Sequence, residues 1–143
     1  MEEFKDIIKE LIEEKEKSLR AISRDSEIST TQYSDYLKGV LPTIDTAVKL
    51  SNYFKCSLDY LFGISESNYY KEYVGYDLTK FVPRYLEALK QNKISHWKFA
   101  QKCGFGESSL RHWRDYGKCP SVKLLIIIAS NLDVSVDYLI GRY

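Results

Sequence analysis

Apolar residues return at three- and four-residue intervals along nearly the whole of this chain. Phe4, Ile7, Ile8, Leu11 and Ile12 form the first stripe, and Glu and Lys fill the opposite side as far as Lys17. That spacing predicts an amphipathic helix with a solvated charged face. Ser18 is placed to cap a second helix carrying Leu19 and Ile22. A turn follows at Glu27-Ile28, and Ser29 is placed to cap a third helix with Tyr33, Tyr36 and Leu37 inward. Gly39 ends that helix, and Pro42-Thr43 opens a fourth with Ala47, Leu50, Ser51 and Phe54 inward. Ser57 caps a short fifth helix that runs through Leu61-Phe62 and stops at Gly63.

The same plan then recurs. Ser57-Leu58-Asp59-Tyr60-Leu61-Phe62-Gly63 returns as Ser135-Val136-Asp137-Tyr138-Leu139-Ile140-Gly141, identical at five of seven positions and offset by 78. Pro42 matches Pro120 at that offset, while Phe4, Ile8, Ile12 and Tyr33 match Phe81, Tyr85, Leu89 and Leu110 at 77. The one-residue change is expected in the loop before the prolines, where loops tolerate it. The chain therefore divides into residues 1–66, a join at 67–79, and residues 80–143. The join holds Tyr69, Tyr70, Tyr73 and Tyr76. Rings with a polar tip suit a half-buried packing seam, and only Lys71 and Lys80 lie among them to support base stacking.

In the second repeat Phe81, Tyr85, Ala88 and Leu89 form the first stripe, with Pro83 close enough to the helix start to be tolerated. Ser95 caps a helix with Phe99 and Ala100 inward. Gly104 supplies a tight turn, since it takes a left-handed backbone without a Cβ clash. Leu110 and Trp113, three apart, anchor the next helix, leaving Glu107, Ser108, Arg111 and His112 to face outward. Pro120-Ser121 begins a helix with Leu124, Leu125, Ile128 and Leu132 as core candidates, and Ser135 leads into the last one. No stretch of useful length alternates with period two. The expected class is all-α, in two tandem five-helix domains.

Charge separates the halves. Residues 1–66 carry 9 Lys and Arg against 13 Asp and Glu, a net of −4, while residues 67–143 carry 12 against 7, a net of +5. Only the second half suits a polyanionic partner. The three cysteines, Cys56, Cys103 and Cys119, form no CxxC pair, which points to free thiols in a reducing cytoplasm. His96, Cys103, His112 and Cys119 are separated by six, eight and six residues, a spacing that fits no zinc finger. No metal or cofactor is expected. The longest apolar run, Leu124–Ala129, is far short of the roughly 20 residues of a membrane span. The acidic start Met1-Glu2-Glu3, leading into a helix, does not read as a secretory signal. No spacing groups a nucleophile, base and orienting residue, and there is no phosphate-cradling glycine loop or paired-carboxylate site, so an enzyme is not expected.

Phe99-Ala100, Gly104, Leu110, Trp113, Pro120-Ser121 and the Ser135–Gly141 segment together resemble the lambda-repressor/Cro-like, or XRE-type, helix-turn-helix family. The resemblance covers nearly the whole chain in two copies. It implies a bacterial or phage transcriptional regulator, often a repressor, that places its third helix in the major groove of double-stranded DNA. Carried over by position, Glu107, Ser108, Ser109, Arg111 and His112 would face the groove, unless Ser108 and Ser109 only cap the helix. Arg111 would read guanine and Glu107 would accept from cytosine N4. His96 sits where the family often has a glutamine, and Lys98, Arg114, Lys118 and Ser121 would hold phosphates.

The first copy departs from the pattern. Glu27 stands where glycine is usual, Ile22-Ser23 replaces a Leu-Ala pair, and Leu19 occupies the polar contact position. Its matching surface, Thr30, Thr31, Gln32, Asp35 and Lys38, lies in the acidic half. The second copy is thus expected to be the main reader and the first a packing or dimerising domain, or a weak second half-site. Two arrangements remain open, a homodimer and a monomer acting as a pseudo-dimer. The alternative from another class is a protein-binding antitoxin or adaptor with little DNA binding.

Overall fold

The computed structural model describes residues 3–72 and 75–143. The expectations placed on Met1, Glu2 and Tyr73 lie outside the described residues. The chain divides into two compact units, Met1–Tyr73 and Val74–Tyr143. The first contains α1 (Phe4–Glu14), α2 (Leu19–Ser26), α3 (Thr30–Leu37), α4 (Ile44–Phe54) and α5 (Leu58–Leu61). The second contains a 3-10 turn (Leu78–Lys80) and then α6 (Phe81–Gln91), α7 (His96–Cys103), α8 (Ser109–Asp115), α9 (Val122–Leu132) and α10 (Val136–Leu139). There is no strand among the described residues.

Hydroxyl caps start most of these helices. Ser18, Ser29, Thr43, Ser57, Ser95, Ser121 and Ser135 each accept a hydrogen bond from an amide in the first turn of α2, α3, α4, α5, α7, α9 and α10. Such caps typically contribute about 1 kcal/mol each. Helix α8 is an exception. Ser108 stands at its N-cap in helical rather than extended geometry (φ −72°, ψ −10°) and its side chain makes no cap bond.

The left-handed backbone positions recur with the sequence offset. Glu16, Glu27, Gly39, Lys55 and Gly63 take positive φ in the first unit, and Lys93, Gly104, Gly117, Asp133 and Gly141 do so in the second. The first two pairs are 77 apart and the last three 78. At Gly141 the glycine is also required by space, because an added Cβ would collide with the Asp77 carbonyl oxygen. That close approach accompanies a backbone bond from Asp77 N–H to the Ile140 carbonyl (2.8 Å).

The two cores differ in chemistry. In the first unit Ile8, Ile22 and Ile28 are buried with Tyr33 and Tyr36. At the positions 77 residues later the second unit buries Tyr85 and Phe99, and Phe105 is half-buried. Their rings form one cluster with Phe81, Trp113 and the imidazole of His96.

Several side chains sit differently from the sequence expectation. Leu37 is exposed, because Tyr33 and Tyr36 take the inner face and the next residue is rotated about 100° away. Leu124 is half-buried for the same reason, since Val122, Leu125, Ile128 and Leu132 define the inner line of α9. Tyr69 is exposed rather than half-buried. The start of the join packs on the first unit, where Asn68 Oδ1 accepts from the Ser57 amide (2.9 Å) and its Nδ2 donates to the Lys55 carbonyl (3.0 Å). The Tyr70 hydroxyl donates to Asn52 Oδ1 at 3.2 Å. Asp77 belongs to the second unit, where its side chain caps the 3-10 turn.

Candidate nucleic-acid interface

In the first unit α2 and α3 meet at a turn whose pivot is Glu27, in left-handed geometry (φ 60°, ψ 34°). The Glu27 and Ile28 amides both donate to the Ser23 carbonyl. The Ser23 hydroxyl then donates to the Ile28 carbonyl at 2.6 Å, closing the turn from the other side. Ser23, a departure from the family pattern by sequence, is thus a cross-brace of the turn. A second hydroxyl, on Ser26, lies 2.7 Å from the buried Tyr33 hydroxyl. Burial pushes the Tyr33 phenol up to about 12.

Helix α3 begins with a capping box. The Ser29 hydroxyl accepts from the Gln32 amide and Gln32 Oε1 accepts from the Ser29 amide, both at 3.1 Å. Gln32 is therefore engaged within its own helix, and its Nε2 also donates to the Tyr36 hydroxyl (3.4 Å). Thr30, Thr31 and Asp35 are exposed on α3. Lys38, also exposed, is the C-cap of that helix rather than part of its face.

In the second unit the pivot is Gly104 (φ 79°, ψ 28°), with the Gly104 and Phe105 amides both donating to the Ala100 carbonyl. Glu107 and Ser108 form a turn, and helix starts only at Ser109. Ser109 is half-buried with a hydroxyl that has no hydrogen-bond partner among the described residues. Trp113 is buried, Leu110 is half-buried, and Arg111, His112 and Arg114 point outward. Lys98, Glu107, Ser108, Lys118 and Ser121 are exposed as well. The Ser121 hydroxyl caps α9, so it shares any anion at that N-terminus with its own cap bond.

Two features change the picture drawn from sequence. Asp115 lies 3.7 Å from Arg111 Nε and 3.6 Å from Arg114 Nε, so one carboxylate faces both arginines. The arginine side chains are 76% and 60% exposed, so these pairs are weak and yield readily to a competing anion. The i,i+4 spacing of Arg111 and Asp115 carries that signal in the sequence. His96, in contrast, is engaged on both ring nitrogens, with Nδ1 2.7 Å from the Tyr85 hydroxyl and Nε2 2.8 Å from the Glu107 carbonyl oxygen. Trp97 and Tyr116 are large exposed aromatics flanking this surface, 53% and 66% accessible. Trp97 follows from helical phase, since Phe99 and Ala100 take the inner face.

Cys56 is buried and Cys103 and Cys119 are half-buried. Burial pushes the Cys119 thiol up to about 12, which suppresses thiolate chemistry there. No helix among the described residues is long and apolar enough to cross a membrane.

A helix-turn-helix family model matches residues 8–61, from α1 to α5 of the first unit. The match thus falls on the copy that departs from the expected pattern at Glu27, not on the copy with the glycine. The two copies also differ at Ser29, which caps α3, against Gly106, and at Ile8, Ile22 and Ile28 against Tyr85, Phe99 and Phe105. Neither curated proteins nor solved structures supply a match to the chain.

Proposed function

We propose that this chain is a sequence-specific DNA-binding transcriptional regulator of bacterial or phage type, built from two tandem helix-turn-helix units. The recurrence of all five left-handed positions at the sequence offset supports the duplication. The family match in the first unit supports the DNA-binding class. The observation that carries the choice of reader is the outer face of α8. It presents Arg111, His112 and Arg114 from a half of net charge +5, while Trp113 anchors the helix below.

On this reading α8 enters the major groove, with Arg111 reading guanine and His112 beside it. Arg114, Lys118 and Lys98 bind phosphates, and Asp115 exchanges its arginine partners for DNA. Glu107 and Ser108, in the turn at the head of α8, approach the groove edge. The equivalent face of α3 offers Thr30, Thr31 and Asp35, with no cation and with Gln32 held by its cap. The first unit then serves as a dimerising or weak second half-site domain. A homodimer would place two α8 helices about 34 Å apart on a near-palindromic operator.

A protein-binding antitoxin or adaptor is the second reading. It draws on the exposed Leu37 at the end of α3 and Val40 just after it, in the acidic unit. A gel-shift selection over a library of double-stranded fragments, combined with solution mass, separates the two. The regulator reading requires salt-dependent binding to a defined site. Absence of any such binding, with one stoichiometric protein partner recovered instead, overturns it.

A further inference from the structure

The head of α8 lacks the device that starts its counterpart. In the first unit Ser29 caps α3 and closes a capping box with Gln32. The position 77 residues later is Gly106, which has no side chain with which to cap. The backbone instead runs through a turn, with the Ser109 amide donating to the Gly106 carbonyl (3.1 Å), before α8 begins. Two further exchanges accompany the loss: Ile8 is replaced by Tyr85 and Leu19 by His96. These two new polar side chains make the contacts that reach the same turn.

The bond directions are set by chemistry. The Glu107 carbonyl oxygen can only accept, so His96 Nε2, 2.8 Å away, carries the proton and donates. In the neutral ring Nδ1 must then accept, so the Tyr85 hydroxyl donates to it across 2.7 Å. Tyr85 is fully buried, and burial pushes its phenol well above the ordinary tyrosine range, which keeps it a donor. The imidazole is edge-on to Tyr85 (5.7 Å) and Trp113 (6.2 Å) and packs against Phe105 (6.0 Å), so its ring has little room to turn.

We propose that His96 is a positioning residue: the chain Tyr85 O–H to His96 to Glu107 C=O pins the turn where α8 lacks a side-chain cap and fixes where the helix starts. His96 then acts on DNA recognition through the backbone at Glu107, not by touching DNA. The link runs from the core of α6, through the first residue of α7, to the carbonyl two residues before α8. The consequence for recognition rests on reading α8 as the DNA-contacting helix; the latch itself does not.

The test is nuclear magnetic resonance on the full chain without DNA. At a pH where the imidazole nitrogens of the wild-type protein carry one proton between them, that proton should sit on Nε2 as a single tautomer. Tyr85→Phe keeps the ring and removes the hydroxyl. It should leave the proton on Nε2, where the Glu107 carbonyl still accepts, but loosen the ring and raise amide exchange at Leu110–Trp113 by about three- to tenfold, with α1–α5 unchanged. His96→Ala should raise exchange at the same amides, and His96→Gln, whose amide can still donate to Glu107, should restore part of the protection. The proton on Nδ1 rather than Nε2 in the neutral wild-type ring overturns the proposal without any variant. So does a rise in exchange spread evenly over the second unit. If α8 responds as expected while the wild-type chain binds no DNA, the latch stands and the DNA-binding reading fails. If DNA binds and His96→Ala moves neither exchange nor affinity, the latch fails and the reading stands.

Discussion

Glu27 and Gly104 occupy the same bend, and the side chain decides what that bend costs. Glu27 holds φ 60° with a Cβ present, whereas Gly104 holds φ 79° without one. Left-handed geometry costs a non-glycine residue about 1 kcal/mol. Glu27→Gly is therefore expected to stabilise the first unit by up to about 1 kcal/mol, and Gly104→Ala to destabilise the second by a similar amount, both read by urea denaturation. No Cβ clash adds to the Gly104 cost, as open space surrounds it. Asp115 offers the sharper functional test at this scale. Because it faces both Arg111 and Arg114, Asp115→Asn should leave folding nearly unchanged and tighten DNA binding severalfold at low salt, in a fluorescence anisotropy titration. Unchanged or weaker binding would mean that the two arginines do not meet DNA. The bend was legible from Gly104, and by offset from Glu27. The Ser23 brace was not, because the reach of a hydroxyl across a turn depends on backbone geometry that spacing does not encode.

At the scale of elements, the two copies start their third helices by different means. Helix α3 relies on Ser29, so Ser29→Ala should cost about 1 kcal/mol and raise exchange in the first turn of α3. Helix α8 has no cap at Gly106, so the equivalent position gives nothing to remove. The closing turn is shared: Gly141→Ala should destabilise the second unit by more than the roughly 1 kcal/mol of a left-handed penalty, because the new methyl meets the Asp77 carbonyl. A thermal melt checks this, and a loss no larger than that of Gly104→Ala would show that the contact relaxes. Helical phase and hydroxyl caps gave the helices their places, since both are local signals. Leu37 and Leu124 were misplaced, because each neighbours a residue that fits the inner face better. The His96 contacts were invisible in sequence, since Tyr85, His96 and Glu107 come together only when α6, α7 and the turn before α8 pack.

At the scale of the molecule, the copy that the family model matches is not the copy that carries the cations. Residues 8–61 match the helix-turn-helix model, yet positive charge collects after residue 66. The proposed division of labour resolves this, with the second unit and its outward arginines as the DNA reader and the first as a packing or weak second half-site domain. The family pattern was legible because it consists of core and turn residues. Net charge pointed to the second copy as the main reader; that Gln32 of the first copy is engaged within its own helix was not legible, because its hydrogen bonds depend on the backbone geometry of the cap. The most direct test measures affinity for a selected double-stranded site as a function of salt, for the wild type, Arg111→Ala and the double variant Thr30→Ala, Thr31→Ala. The account predicts a linear fall of log K with log salt. It also predicts a loss of about 1–3 kcal/mol for Arg111→Ala and a change within about 0.5 kcal/mol for the α3 variant. Binding that survives Arg111→Ala intact and collapses in the α3 variant would contradict it.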